Sequence, residues 1–307
     1  MILNFFNSRF FLVFSFPFIL GALTVFSFQP FNYSYINFII IPALFLVTTY
    51  VKRKSKNTYR KKPYLLNLFL IGYLFGVGYF LTGTSWISHS LSFDEDFKFL
   101  IPISIICLPL FLGIFFGLGN LIAGAFLKNN FPSILFFSSS LAFMDFLRAK
   151  IFTGFPWNLW AYTWSGIPEL LQFLPVLGLF SFNLICIIVY CSPLLLVFKK
   201  RLNIMIFIFI GIIFLGNFIY GSSIINNNNK YIEKAVQNLE SSIYTKIISP
   251  SFDLEYNLSN EDIDRRIQKL IKYSAPDKNK KTLFVWPEGV FTGSNLEQIK
   301  QYKPIIM

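Results

Sequence analysis

Long apolar runs separated by short polar breaks dominate this chain. Phe10 to Phe28 is the first run, closed by Gln29-Pro30-Phe31-Asn32, and Tyr33 to Val51 is the second. Tyr64 to Thr84, Phe99 to Leu127, Pro132 to Arg148, Pro168 to Phe198 and Leu202 to Tyr220 follow. An apolar helix of roughly 17–25 residues crosses a bilayer, so the pattern predicts about seven spans. The first run has no small-residue cleavage site and leads straight into another span. It therefore reads as a span and not as a cleavable signal peptide. Gly72, Gly76, Gly78 and Gly83 in the third run suit close helix–helix packing, and Pro109 predicts a tilt or kink in the fourth.

The polar breaks set an orientation. Lys52-Arg53-Lys54-Ser55-Lys56-Asn57-Thr58-Tyr59-Arg60-Lys61-Lys62 carries seven basic residues. Such a loop is suited to nucleic acid, but beside two spans it reads as a cytoplasmic anchor. With the N-terminus inside, this cluster, Lys128 and Lys199-Lys200-Arg201 all fall on the inner face. The loop bearing Asp94, Glu95 and Asp96, the aromatic loop from Gly154 to Trp164 and everything beyond Tyr220 then fall outside. The opposite orientation puts all three basic clusters on the wrong face.

Beyond Tyr220 the pattern changes period. Asn226 to Asn229 reads as a polar linker, and Lys246 to Pro250 as the end of a short strand. Ser259 and Asp262 form a capping-box spacing with Asp in place of Glu or Gln. Ile263, Ile267, Leu270 and Ile271 make one apolar helix face, with Arg265, Arg266, Gln268 and Lys269 on the other. Thr282 to Trp286 has the content of a buried strand, ended by Pro287. Strand, helix, strand is the opening of an α/β domain. The expected division is a transmembrane domain over 1–221 and an incomplete α/β domain over 222–307. Glu288, at the mouth of the last strand beside Trp286, has two readings: a solvated turn residue, or a partly desolvated base.

Composition agrees with the membrane assignment. The chain is 54% hydrophobic and only 14% charged, with 40 phenylalanines among 307 residues, and its mean hydropathy is +0.57. Cys107, Cys186 and Cys191 all lie in apolar runs and read as small buried hydrophobes. No metal-type spacing is present, and His89 is the only histidine, which excludes chemistry that needs two. Asp145 and Arg148 lie three apart on one helix. They read either as a pair near the membrane surface or as intramembrane charges kept for function. The aromatic loop reads as an interfacial belt or as a gate for lipid, with Trp157 and Trp160 as candidate substrate contacts.

Several segments together resemble bacterial apolipoprotein N-acyltransferase. They are Asp145-Phe146-Leu147-Arg148 with Phe152-Thr153-Gly154-Phe155-Pro156-Trp157, then Pro175, Gly178 and Asn183. Phe28-Gln29-Pro30-Phe31, Thr84-Ser85-Trp86 and Val285-Trp286-Pro287-Glu288 complete the set. The resemblance runs from about Phe10 to Thr292. It implies a polytopic α-helical membrane domain followed by the start of an α/β nitrilase-like domain, in the bacterial inner membrane with the C-terminal part in the periplasm. It implies acyl transfer from a phospholipid, through a cysteine thioester, to the N-terminal amine of a lipid-modified apolipoprotein, with no cofactor and no nucleic acid. By the same resemblance Glu288 is the general base, and Tyr256 is matched to an aromatic residue near the substrate. The lysine and cysteine of the Glu–Lys–Cys triad, and an eighth span, are expected after residue 307. The chain is accordingly expected to be a fragment, inactive alone. Other readings are a catalytically dead relative, a membrane subunit moving acyl or glycosyl groups on lipid carriers, and a transporter.

Overall fold

The computed structural model describes residues 8–58, 64–93, 95–152, 154–237, 244–252, 258–277 and 281–290. The chain divides into two compact units, Met1–Asn228 and Asn229–Met307.

The first unit is built of helices. α1 (Phe11–Ser27) opens with a π-helical turn and closes in a 3₁₀ turn. α2 (Asn37–Thr58), α3 (Tyr64–Thr84), α4 (Ile101–Gly124), α5 (Phe131–Lys150), α6 (Leu179–Cys191) and α7 (Arg201–Gln237) follow. Among the described residues, five helices are long and apolar enough to cross a membrane: Ser34–Lys54, Tyr64–Phe93, Glu95–Gly124, Leu179–Val197 and Arg201–Gln237. The first and fifth expected spans are helical as well, although Phe11–Ser27 is shorter and Phe131–Lys150 carries three charged residues in its last six positions.

Two expected spans differ in detail. The run from Pro168 is broken into short helices, Pro168–Leu171 and Leu174–Leu177, before α6 begins. The break is at Gly178, whose φ of 75° is open to glycine and strained for other residues. The run from Leu202 continues as helix through Asn226–Asn229, where a linker was expected. Asparagine costs under about 0.7 kcal/mol per helical residue, too little to stop a helix this long.

α3 is the centre of the packing. Its Gly78 faces the Phe18 carbonyl of α1, where an added Cβ would come within 2.2 Å, and Gly21 of α1 faces the Phe75 carbonyl at 1.9 Å. On its α4 side, Gly72 would place a Cβ 2.3 Å from the Phe116 carbonyl, and Gly76 2.9 Å from the Gly113 Cα. In a bilayer, where helix association gains little from the hydrophobic effect, such close approach supplies the packing contacts. Buried amides add polar ties. Asn120 of α4 donates to the Leu68 carbonyl (2.7 Å) and accepts from the Thr48 hydroxyl of α2 (3.0 Å). Arg9 donates through Nε and Nη2 to the Asn67 Oδ1 at 3.0 and 2.8 Å. Cys186 and Cys191 are buried as expected, whereas Cys107 is exposed on α4, because that helix turns one side away from its neighbours.

The second unit contains β1 (Tyr244–Ile247), α8 (Asn260–Ser274) and β2 (Thr282–Val285). The strands pair in parallel, from Tyr244 opposite Thr282 to Ile247 opposite Val285. Parallel pairing requires a crossover, which α8 supplies. Both halves of the capping box form, with the Ser259 hydroxyl accepting from the Asp262 N–H at 3.2 Å. Ile263, Ile267 and Leu270 are buried. Arg266 is not on the outer face as expected but 96% buried with them, because it lies three residues after Ile263 and four before Leu270. β2 is half-buried and not a buried strand: Leu283 and Val285 are exposed, since among the described residues α8 covers one face of the sheet alone.

Two measurements follow from this packing. Gly21→Ala forces a Cβ onto a backbone carbonyl that has no room to swing aside, and overpacking of this kind costs about 1–3 kcal/mol. The expected result is a lower thermal unfolding midpoint in detergent micelles, and an unchanged midpoint would show that the α1–α3 seam is not tight. In the second unit, the Ser259 hydroxyl, and secondarily Arg265, hold the exposed Asp262 carboxyl below its ordinary value of 3.8. A carboxyl lowered in the folded state favours folding above its ordinary value, and that contribution is lost as pH falls through the lowered one. A carbon-NMR titration of Asp262 should therefore move toward 3.8 in Ser259→Ala.

Candidate functional site

The aromatic loop after α5 is held by a buried ion pair. Arg148 Nη2 lies 2.9 Å from Asp145 Oδ1, and both side chains are almost fully buried. Burying two charges is costly unless their remaining donors and acceptors are satisfied. Here Asn183 of α6 donates to Asp145 Oδ2 at 2.9 Å. Arg148 Nη1 donates to the carbonyls of Phe155 and Trp157, each at 2.7 Å. The guanidinium also stands over the rings of Phe80 and Phe155, 5.0 and 5.9 Å from their centroids. Asn183 Oδ1 accepts from the Ala161 N–H at 3.1 Å. The middle of the loop is tied to α3: the Tyr79 hydroxyl donates to the Asn158 carbonyl, and Asn158 Nδ2 donates to the Gly83 carbonyl at 3.4 Å.

So held, the loop meets two segments far away in sequence. A pocket of about 350 Å³ is lined by Phe28, Gln29 and Pro30, by Thr82 and Trp86, and by Trp157, Asn158 and Tyr162. A second pocket of about 350 Å³ is lined by Trp86, His89, Phe93, Phe155 and Trp157. Trp86 and Trp157 belong to both. Their rings meet edge to face, 5.9 Å apart at 86°, and both are more than half exposed. The Trp86 indole N–H is fixed on the Gly83 carbonyl at 3.1 Å. Large rings make up much of both walls, with Gln29, Thr82, Asn158 and Tyr162 as polar points in the first, a mostly apolar lining suited to apolar chains.

Of the candidate site residues, Trp157 is a wall of these pockets. Trp160 is fully buried, packed among Phe75, Tyr79, Phe116 and Tyr190, and lines neither pocket. Tyr256 lies outside the described residues. Tyr79, Asn158 and Tyr162 escaped the sequence reading, since one more aromatic or amide in so aromatic a chain carries no signal of its own.

Glu288 stands in the second unit, in the turn directly after β2 and Pro287. The turn is fixed from both sides. The Trp286 indole N–H donates to the Ser274 hydroxyl of α8 at 3.1 Å, and Arg266 Nη1 donates to the Val290 carbonyl at 2.9 Å. Gly289 supplies the positive φ of 74° that such a turn needs. Glu288 itself is exposed, not desolvated beside Trp286, because the indole turns toward α8. Arg266 was the missed residue here, and its place on the apolar stripe of α8 was the available signal.

Apolar helices of membrane-crossing length, closing around two aromatic pockets, define a polytopic membrane protein, and to it is joined a β–α–β unit. A family profile described as "Apolipoprotein N-acyltransferase N-terminal domain" matches residues 20–192. The chain belongs to the apolipoprotein N-acyltransferase family. It is 28% identical over 279 residues to a protein named apolipoprotein N-acyltransferase from Brucella melitensis, covering 88% of this chain and 50% of that one. It is likewise 28% identical over 229 residues to the protein of that name from Allorhizobium ampelinum, covering 73% and 42%. A third, from Rhizobium rhizogenes, is 35% identical over 129 residues, covering 42% and 24%. The chain spans about half the length, or less, of these relatives.

Arg148→Ala leaves the Asp145 carboxylate buried without its cation. Breaking one side of a buried pair costs about 3–5 kcal/mol. The expected outcome is a large drop in thermal midpoint in micelles, and a midpoint near that of the wild type would mean the pair is not held dry.

Proposed function

We propose that this chain is the membrane part and the opening of the catalytic part of an apolipoprotein N-acyltransferase. The observation that carries the reading is convergence. Phe28–Phe31, the Thr84–Trp86 region and Phe155–Trp157, three separate segments of family resemblance, meet at one pair of aromatic pockets. Apolar pockets beside half-exposed tryptophans suit the chains of a phospholipid at the membrane–water interface. On this reading the helices make seven spans, the basic turns face the cytoplasm, and the aromatic loop and everything after α7 face the periplasm of a bacterial inner membrane.

The chemistry is nucleophilic catalysis in two steps. A cysteine thiol attacks the ester carbonyl of the phospholipid, and Glu288 takes the thiol proton and returns it to the departing lysophospholipid oxygen. A thioester is left on the cysteine. The N-terminal amine of the apolipoprotein's lipid-modified cysteine then attacks that thioester. Glu288 takes the amine proton and returns it to the thiolate, giving an amide and a free thiol. A lysine near the carbonyl oxygen stabilises the charge that develops there. We infer that this lysine and cysteine lie in the part of the relatives' length that this chain does not span. The β–α–β unit is read as the start of a nitrilase-like domain, and the pinned turn after β2 supports Glu288 as its base.

The test uses the protein purified from its native membrane. It is given a phospholipid with a labelled acyl chain and a diacylglyceryl-cysteine peptide. Label should pass to the peptide amine, and Glu288→Gln should slow this by about 10²- to 10⁴-fold, the range for loss of a general base. Unchanged transfer in that variant would remove Glu288 from the mechanism. No transfer by the native protein would leave a non-catalytic relative on the same scaffold.

A further inference from the structure

The two pockets raise a question that neither family membership nor acyl transfer answers. They are of similar size, about 350 Å³ each, and share two indoles in edge-to-face contact. Trp86 is fixed by a bond from its own ring to the Gly83 carbonyl. Trp157 has no such tie among the hydrogen bonds seen. Its place is set through its backbone, by the bond from Arg148 Nη1 to its carbonyl oxygen.

We propose that Arg148 is a positioning residue for lipid binding. By gripping the Phe155 and Trp157 carbonyls it sets Trp157 against Trp86 as the wall between two apolar pockets. A two-chain glycerophospholipid then seats with one chain on each side of that wall. This rests on the reading of the pockets as the acyl-donor site.

Three features support it. First, Arg148 is oriented before any ligand arrives: Asp145 takes one terminal nitrogen at 2.9 Å, and Phe80 and Phe155 face the guanidinium plane. A planar fork can hold a carboxylate with one nitrogen and two carbonyls with the other, which an ammonium on a flexible stem does poorly. Second, one carboxylate governs both ends of the loop. Asp145 reaches Phe155 and Trp157 through Arg148, and Ala161 through Asn183. Third, edge contact between two half-exposed rings is worth only about 0.5–1.5 kcal/mol, so the ring contact alone does not fix the wall.

The experiment reads binding as well as turnover, so it separates this proposal from the acyltransferase reading. The full-length protein in vesicles is titrated with phospholipid brominated on its acyl chains, which quenches nearby tryptophan. The same is done with brominated lysophospholipids of either isomer. The affinity ratio of two-chain to one-chain lipid is the observable. Arg148→Lys keeps the charge and should lower this ratio at least fivefold, with faster amide exchange at Phe155 and Ala161. Asp145→Asn should act in the same direction. Trp157→Phe should lower the ratio and leave Ala161 exchange unchanged. The proposal is overturned if a folded Arg148→Lys or Asp145→Asn keeps the wild-type ratio. It is equally overturned if Trp157→Phe does, and that exposed substitution tests the wall even if the buried variants do not fold. Absence of acyl transfer by the wild type would sink the enzymatic reading and leave the binding result to stand alone.

Discussion

A charged pair in an apolar helix bundle is the constraint around which the first unit is arranged. Asp145 and Arg148 are one helical turn apart on α5 and both dry. A dry ion pair is no source of stability in itself. It persists because most of its remaining capacity is put to use: one carboxylate oxygen on Asn183 and one guanidinium nitrogen on two loop carbonyls, with the buried Arg148 Nε left unpartnered among the described residues. The chain after α5 therefore cannot wander. It has to pass close over Arg148, return by way of Asn183 on α6, and present its outer rings to α3 and the segment before α2. The pockets follow from that path.

The helix seams below make the path exact. Close approach of α3 to α1 and α4 depends on glycines whose missing side chains let backbone meet backbone. This fixes Tyr79 and Phe80 on the side of α3 where Tyr79 bonds the Asn158 carbonyl and Phe80 faces Arg148. Packing low in the bundle and polar contacts at its rim are thus one system. In the second unit a smaller version recurs, with buried Arg266 holding the turn that carries Glu288.

Much of this was legible in the sequence, and the limits have physical causes. Apolar runs locate the helices because membrane burial asks only for length and apolarity. The glycines of α3 and the capping box of α8 were readable because each has a short-range geometric reason. The broken helix before Gly178 and the continuation of α7 through four asparagines were not, since propensities of a few tenths of a kcal/mol do not fix boundaries. Motif resemblance pointed to Trp157, which lines both pockets. The aromatic loop also offered Trp160, which is core, because an aromatic run does not say which ring faces inward. Arg266 was misplaced through its charge, although its helical phase put it with Ile263 and Leu270.

Arg148 hydrogen-bonds the loop only through main-chain oxygens. Every amino acid offers a carbonyl, so the bond to position 157 is indifferent to the side chain there, whereas Phe155 adds its ring to the guanidinium. Location and chemical identity are thereby separate variables at this rim. Over a lineage the ring at 157 is free to be exchanged for other shapes while the strand of chain bearing it stays put. The fold supplies a fixed mount with interchangeable fittings, and the shape of the pockets is able to drift without a search for a new way to fold.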